Sequence, residues 1–386
     1  MILKATKNNN LLNLARQTFC TKATSTVTPT PTPTSTGVKD PSKDFKVNED
    51  GDYIVTLFAG DGIGPEISES VVNIFKAAEV PIQWEQHEIS SRAVNKDGDL
   101  ISQGALDSIR RNKVALKGPF MTPIGGGFRS LNVTLRKKLQ LYANVRPCRT
   151  IPGLKNLYAN DNVDVVTIRE NTEGEYAGLE HSVVPGVSES LKIISREACE
   201  RVAKYAFEYA RNNNRERVIA VHKAGVMKMA DGLFLKVARE VRERYPEIDY
   251  DEKQVDTMCM RLAMDPSQVD VMLMPNLYGD IVSDLCAGLI GGLGLTPSGN
   301  IGKEAAVFEA VHGTAPDIAG RDMANPTALL FSAIMMLEHM DLHEQAARIK
   351  KSVYYTLENE LENCTGDLGG RGSTTSYTDT IIKNLE

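Results

Sequence analysis

Apolar runs of strand length alternate along this chain with segments of helical periodicity, and that alternation constrains the fold more than any other feature. Tyr53–Ala59 reads as a buried strand, Gly60-Asp-Gly-Ile-Gly-Pro65 as a turn, and Glu66 to about Ala78 as a helix. Pro65 stands at the helix start, where a missing N–H costs nothing. Val163–Ile168, Val218–His222 and Val269–Met274 are further strand candidates, while Glu197–Arg211, Gly232–Arg244 and Pro326–Met340 carry helical spacing. Repeated strand, turn and helix place the chain in the α/β class. Regular structure begins near Tyr53 on this reading. The apolar, glycine-bearing stretch Leu285–Leu295 reads as a packed turn region.

Gly60, Gly62 and Gly64 invite assignment to a dinucleotide-binding Rossmann turn. The fingerprint needs G-x-G-x-x-G, but the sixth position is Pro65 counted from Gly60 and Ile67 counted from Gly62. A tight strand-to-helix turn is the better reading. If a dinucleotide binds, another loop must hold it.

The 386 residues suffice for two domains that share a continuous core. No run of about 18 uncharged apolar residues predicts a membrane span. The six cysteines lack a C-x-x-C pair, which fits reduced thiols better than a disulfide framework or zinc finger. Residues 1–39 hold Lys4, Lys7, Arg16, Lys22 and Lys39 and no acid. Leu11, Leu12, Leu14, Ala15 and Phe19 can share a helical face, and a Thr/Pro run at Thr28–Pro33 follows. That composition predicts a mitochondrial transit peptide and extended linker over 1–39, hence the matrix as destination. Without those five cations the formal charge moves from −6 to −11, which argues against nucleic acid as the main partner.

Several constellations point to chemistry. Asp280 and Asp284 lie four residues apart, so on a helix they share a face and repel each other unless a cation intervenes. With Asp256 upstream they form an all-oxygen set suited to Mg²⁺ or Mn²⁺. For an isolated D-x-x-x-D, a helix cap at Asp280 and a solvated Asp284 would usually be the better explanation. Arg136, Arg146 and Arg169 follow or close apolar segments, where planar guanidinium forks can face a carboxylate in a cleft. Three such forks beside a metal imply a substrate with more than one carboxylate. Tyr176 and Lys223 are the proton-transfer candidates, and a lysine near a metal and arginines would have its proton affinity lowered. In the loop Val311–Pro326, small residues permit close backbone approach. Asp317 can accept from both hydroxyls of an unmodified adenosine ribose and would repel a 2′-phosphate, which favours NAD over NADP.

Together these segments resemble the isocitrate and isopropylmalate dehydrogenase family, from about Tyr53 to the C-terminus. The resemblance rests on Gly60-Asp-Gly-Ile-Gly-Pro-Glu66, Asn276-Leu-Tyr-Gly-Asp-Ile-Val-Ser-Asp284 and His312-Gly-Thr-Ala-Pro-Asp-Ile-Ala-Gly320. It implies a fold that is not a Rossmann domain. A discontinuous large domain (48–144 and 291–386, the coenzyme side) would enclose a small domain (145–290) with a clasp, the metal ligands and the dimer interface. It also implies an NAD-linked enzyme of catalytic type that decarboxylates isocitrate oxidatively to 2-oxoglutarate in the tricarboxylic acid cycle. The segment Pro123-Ile-Gly-Gly-Gly-Phe-Arg129 is more similar to bacterial members of the family.

By the same resemblance Arg136, Arg146 and Arg169 bind substrate carboxylates, and Ser130 and Asn132 meet the γ-carboxylate that distinguishes isocitrate from isopropylmalate. Asp280 and Asp284 hold the metal, with Asp256 supplied by a neighbouring subunit. Asp317 and Ile318 stand where NADP-linked members carry Lys and Tyr. His312, Gly313 and Asn325 line the adenine, and Thr122 lies near the nicotinamide. Lys223 assists proton removal across a subunit interface and Tyr176 returns a proton after CO₂ loss. The expected assembly is a homo- or hetero-oligomer with related, including regulatory, subunits. The alternatives are a family member acting on isopropylmalate, homoisocitrate or tartrate, and a non-catalytic regulatory subunit.

Overall fold

The computed structural model describes residues 43–89, 101–121, 130–154 and 163–385. The chain runs through β1 (Tyr53–Phe58), α1 (Gly64–Ala77), β2 (Ile82–Gln86), α2 (Gln103–Asn112), β3 (Val114–Lys117), α3 (Leu131–Lys138), β4 (Leu141–Arg149) and β5 (Asp164–Glu170). A hairpin of β6 (Glu180–Val184) and β7 (Val187–Ser190) stands apart from the main sheet. Then come α4 (Arg196–Asn212), β8 (Arg217–His222), α5 (Ala230–Arg242), β9 (Asp249–Gln254), α6 (Val255–Met264), β10 (Val271–Met274) and α7 (Asn276–Ile290). The last elements are β11 (Pro297–Gly302), β12 (Ala306–Ala310), α8 (Thr327–His339), α9 (His343–Asn359) and α10 (Thr374–Lys383).

Ten strands form one sheet in the order β2-β1-β3-β12-β11-β4-β5-β10-β8-β9. The four strands at each end are parallel among themselves, whereas β11 pairs antiparallel with β12 and β4, and β4 antiparallel with β5. Three successive reversals make the two parallel blocks run in opposite senses. Parallel strands need helical crossovers that cover both faces, which explains their continuous apolar runs. β3, for example, is buried at all four positions, and β5 at all but the first.

The first block shows how the sequence meets that demand. Val55 and Leu57 of β1 join Ile67, Val71 and Ile74 of α1 in the main core, while Phe58 turns to a second cluster with Leu106, Ile109, Leu131 and Leu135. Helix α8 is apolar nearly all round, with ten buried residues, as suits a helix packed between the sheet and other helices.

A buried polar seam crosses the reversed centre. Asn144 Nδ2 donates to Ser298 Oγ at 2.8 Å and to Asn300 Oδ1 at 3.0 Å. Asn171 Nδ2 also donates to Asn300 Oδ1 at 3.0 Å, and Asn300 Nδ2 donates to Glu309 Oε1 at 2.8 Å. Buried amides must find such partners, so the seam fixes the register of β4, β11 and β12.

Two boundary expectations shift. Leu285–Leu295 is a turn region only from Gly291 onward, because Leu285–Ile290 completes α7 before Gly291 caps it with positive φ. Order precedes Tyr53: Val47 bridges Tyr53, and Ile54 N–H donates to Lys46 O at 2.8 Å. The expected boundary at 144/145 falls inside β4 and that at 290/291 at the end of α7. The expected transit segment 1–39, Thr122 and Pro123–Arg129 lie outside the described residues.

Candidate active site

Helix α7 carries the acids and β4 and β5 carry the bases. Asp280 and Asp284 share one face of α7, as their spacing requires. Arg169, near the end of β5, is 1% exposed, and its aliphatic stem lies against Gly279, where a Cβ would stand 2.5 Å from Arg169 Cγ. The small residue before Asp280 therefore lets helix and strand approach closely. Arg169 Nη1 donates to Asp280 Oδ1, while its Nε and Nη2 donate to Asn276 Oδ1 at 3.0 and 2.7 Å. Asn276 Nδ2 in turn donates to Glu173 O at 2.8 Å. The guanidinium plane is thus fixed by three of the five N–H groups that an arginine carries.

Arg146 on β4 reaches the same helix. Its Nη1 donates to Ser283 Oγ at 2.6 Å and to Asp284 Oδ1 at 3.0 Å, and its Nη2 lies 3.9 Å from Asp280. Arg136, near the end of α3, donates to Glu309 Oε1 at 3.2 Å. Burial first, and then repulsion from Arg136 and Arg146, lowers the Arg169 pKa to about 10 against the pull of Asp280. Arg136 and Arg146 thus stand close enough to repel the buried Arg169 charge, an arrangement costly without anions. Burial works to raise the Asp280 carboxyl, but Arg169, Tyr176 and Arg146 hold it below the usual carboxylate range.

Tyr176 sits in a 3-10 turn, Glu175–Ala177, with its hydroxyl donating to Asp280 Oδ2 and its ring 5.0 Å from the Arg169 guanidinium. Burial and the Asp280 carboxylate push its pKa up, so the phenol keeps its proton at neutral pH. Ser130 is the N-cap of α3 and Asn132 lies in its first turn, with a buried Oδ1 that has no hydrogen-bond partner.

Lys223 and Asp256 form a separate group. Lys223 follows β8, and its Nζ donates to Asp256 Oδ2 at 2.6 Å and to Gln254 Oε1 at 3.1 Å. Asp256 is exposed at the start of α6. Within one chain the lysine therefore stands beside a carboxylate. Among the described residues no three His, Cys, Asp or Glu side chains converge on a metal position. Asp280 and Asp284 nevertheless present carboxyl oxygen donors of the kind Mg²⁺ or Mn²⁺ takes, and the Asp284 side chain is 55% exposed.

The candidate coenzyme loop is held by the glycine turn. Gly62 has φ +61°, and a Cβ there would stand 2.0 Å from Thr314 O; the next residue, Ile63, donates its N–H to that oxygen at 2.9 Å. Gly320 N–H donates to Glu66 Oε1. Asp317 is exposed, Ile318 packs against the main core, and Gly313 has open space where a side chain would be. His312 Nδ1–H donates to Gly313 O at 3.0 Å, while its buried Nε2 has no partner. Burial lowers its pKa, leaving a neutral ring nitrogen for a ligand. These features fit an adenine nucleotide. Asn325 contributes differently: its Oδ1 accepts from Thr327 N and Oγ1 at 2.9 and 2.6 Å, and its Nδ2 donates to Asp367 at 2.8 Å.

Sequence reading missed a buried ion cluster between the two regions. Lys117 Nζ lies 2.7 Å from Glu309 Oε2 and 4.2 Å from the centre of the Phe120 ring. Burial works to raise the Glu309 carboxyl, yet Lys117 and Arg136 hold it well below the ordinary range. The signal was present, since Lys117 closes an apolar strand just as Arg169 nearly closes β5.

Comparison with known proteins places these observations. The profile of the isocitrate/isopropylmalate dehydrogenase family matches residues 54–383. The probable mitochondrial isocitrate dehydrogenase (NAD) subunit alpha of Drosophila melanogaster is 57% identical over 332 residues, 86% of this chain and 87% of its own. The chloroplastic 3-isopropylmalate dehydrogenase of Solanum tuberosum is 61% identical over 303 residues, 78% of this chain and 84% of its own. The crystal structure of isocitrate dehydrogenase from Methylococcus capsulatus superposes with a TM-score of 0.81 at 45% identity, covering 86% of this chain and 99% of that one.

Proposed function

The chain belongs to the isocitrate and isopropylmalate dehydrogenase family, and from that premise we propose that it is a catalytic NAD-linked isocitrate dehydrogenase of the mitochondrial matrix. The reaction is oxidation of isocitrate at C2 by NAD⁺ followed by loss of CO₂ to give 2-oxoglutarate, as in the tricarboxylic acid cycle. The observation that carries this reading is the convergence of Arg146 and Arg169 on the α7 aspartates, with Tyr176 donating to Asp280 and Arg136 held nearby on Glu309. A tricarboxylate supplies the anions those three cations need.

Arg169 offers a substrate carboxylate its guanidinium edge from a plane locked by Asn276. Arg136 and Arg146 receive the remaining carboxylates, and Ser130 and Asn132 at the start of α3 meet the γ-carboxylate. Asp280 and Asp284, with Asp256 of a neighbouring subunit, would hold Mg²⁺ or Mn²⁺, which supplies Lewis-acid polarisation of the C2 oxygen and its adjacent carboxylate. Lys223 removes the hydroxyl proton. The exposure of Asp256, its partner within the chain, supports a site completed across an interface. Tyr176 keeps its proton until the carbon that lost CO₂ needs one. His312 and Gly313 receive the adenine, and Asp317 and Ile318 select an unphosphorylated ribose; Asn325 shapes the loop through Thr327 and Asp367, and Thr122 lies toward the nicotinamide.

The relative from Drosophila is named a subunit, which supports an oligomer of related chains. The identity to an isopropylmalate dehydrogenase keeps that substrate as the competing reading. A regulatory subunit could bind a carboxylate with its arginines alone but has no use for Tyr176 on Asp280 or Lys223 on Asp256. Ser130→Ala separates the substrates. For an isocitrate enzyme we expect KM for isocitrate to rise about tenfold or more, as for loss of a hydrogen bond to a charged group. Unchanged kinetics on the preferred substrate would favour isopropylmalate.

A further inference from the structure

One buried ammonium joins the three segments that carry the candidate reaction residues. Lys192 lies just beyond β7, at the base of the hairpin that Leu191 N–H closes by donating to Leu179 O at 2.9 Å. Its side chain is 11% exposed, and its Nζ stands 2.8 Å from Asp231 Oδ1 and 3.5 Å from Glu175 Oε1. It also donates to Tyr278 Oη at 3.3 Å, with the Tyr278 ring centre 4.3 Å away. Each partner leads to a different part of the site. Asp231 is fully buried on α5, and its other oxygen accepts the Lys223 backbone N–H at 2.6 Å. Tyr278 precedes Asp280 by two residues on α7, and Glu175 precedes Tyr176 in the 3-10 turn.

We propose that Lys192 is a positioning residue for Lys223. A buried carboxylate needs a counter-charge, and Lys192 is the cation that Asp231 meets. So long as Asp231 is paired it holds the peptide at the end of β8, and that peptide fixes the direction in which the Lys223 side chain leaves the strand. The same ammonium ties this point to α7 and to the Tyr176 turn of the same chain, so the end of β8 is braced against the rest of its own subunit. If Lys192 is removed, Asp231 is stranded; it turns toward water or takes up a proton, and the Lys223 peptide loses its anchor. This rests on the reading of Lys223 as the group that removes the substrate proton.

The test uses the purified, assembled protein and three forms of it: wild type, Lys192→Met, and Lys192→Met combined with Asp231→Asn. Two quantities are read for each. One is kcat and KM for isocitrate with NAD⁺ and Mg²⁺. The other is the rate at which acetic anhydride acetylates Lys223 at fixed pH, followed by mass spectrometry of its peptide and normalised to an exposed lysine. Lys192→Met should lower kcat at least tenfold with KM within threefold, and should change the Lys223 labelling rate at least threefold. The second substitution should return both to within about threefold of wild type, because an amide at position 231 still accepts the Lys223 N–H without a charge to satisfy.

Wild-type kcat and labelling in Lys192→Met would overturn the proposal, as would a double variant as impaired as the single one. Should Lys192→Met not fold, Lys192→Gln, which keeps hydrogen-bond donors but no charge, carries the same expectations and the same refutation. If the wild type oxidises no isocitrate, the functional reading of the site fails, while the labelling comparison still decides whether Lys192 sets the environment of Lys223.

Discussion

Arg169 holds a charge at 1% exposure because every neighbour is arranged around it: Asn276 takes two of its N–H groups, Asp280 a third, and Gly279 makes room for its stem. Its importance could be read from the sequence, since a strongly apolar strand ending in arginine is costly unless the arginine has work to do. Asn276 could not be read that way. It is one polar residue at a helix start, and only the fold brings it 107 positions back to Arg169. Glu66 and Gly320 are separated by 254 positions and raise the same difficulty. Tyr176 carries the residue-scale prediction. Its hydroxyl keeps its proton through burial and Asp280, so Tyr176→Phe should leave the reduction of added oxalosuccinate near wild type. The same change should slow its decarboxylation to 2-oxoglutarate by about a hundredfold. Equal loss of both partial reactions, each followed by absorbance, would remove the tyrosine from the proton-return step.

At the scale of elements, the glycine turn between β1 and α1 illustrates what spacing can and cannot tell. These glycines serve backbone approach and not a dinucleotide fingerprint: Gly62 meets Thr314 and Gly60 meets Pro119. Their link to the candidate coenzyme loop was invisible, since Thr314 lies far along the chain. The turn holds that loop in place. Gly62→Ala forces a methyl group to within 2.0 Å of a carbonyl oxygen at φ +61°, so the loop must move. We expect a loss of about 1–3 kcal/mol in stability by thermal melting. We also expect a rise in KM for NAD⁺ several times larger than any rise in KM for isocitrate. An unchanged coenzyme KM would show that the loop is positioned independently of the turn. Boundaries were less legible than element types: α7 extends to Ile290 where glycines suggested a turn, because Gly288 is accommodated inside the helix.

Across the whole molecule, alternation correctly gave an α/β protein but not the sheet order. The reversed strands β11 and β4 read locally like any other strand, and their direction follows from long-range pairing through the Asn144, Asn300 and Glu309 seam. The reversal matters, because it joins the block that carries the candidate coenzyme loop to the block that carries Arg169, Lys223 and α7. We propose that the two lobes meet along β4. The β6–β7 hairpin exposes Val183, Val184 and Val187 beside Leu179 and Leu191, each 46–54% exposed. An exposed apolar ribbon of this kind calls for a partner, and we propose that it is the clasp. Val184→Asp combined with Val187→Asp should reduce the mass measured by light scattering to that of a monomer and abolish turnover, since Lys223 would no longer face a neighbour's site. A monomeric, fully active variant would show that each chain completes its own site.

The central claim is that one cleft, built by Arg136, Arg146, Arg169 and the α7 aspartates, oxidises isocitrate with NAD⁺. The most direct measurement compares kcat/KM of the purified assembled protein for isocitrate and 3-isopropylmalate, each with NAD⁺ and with NADP⁺ in the presence of Mg²⁺. The account predicts 2-oxoglutarate and NADH from isocitrate, with at least about a hundredfold preference over 3-isopropylmalate and a clear preference for NAD⁺. Faster oxidation of 3-isopropylmalate, faster turnover with NADP⁺, or isocitrate activity undiminished by Arg169→Ala would contradict it.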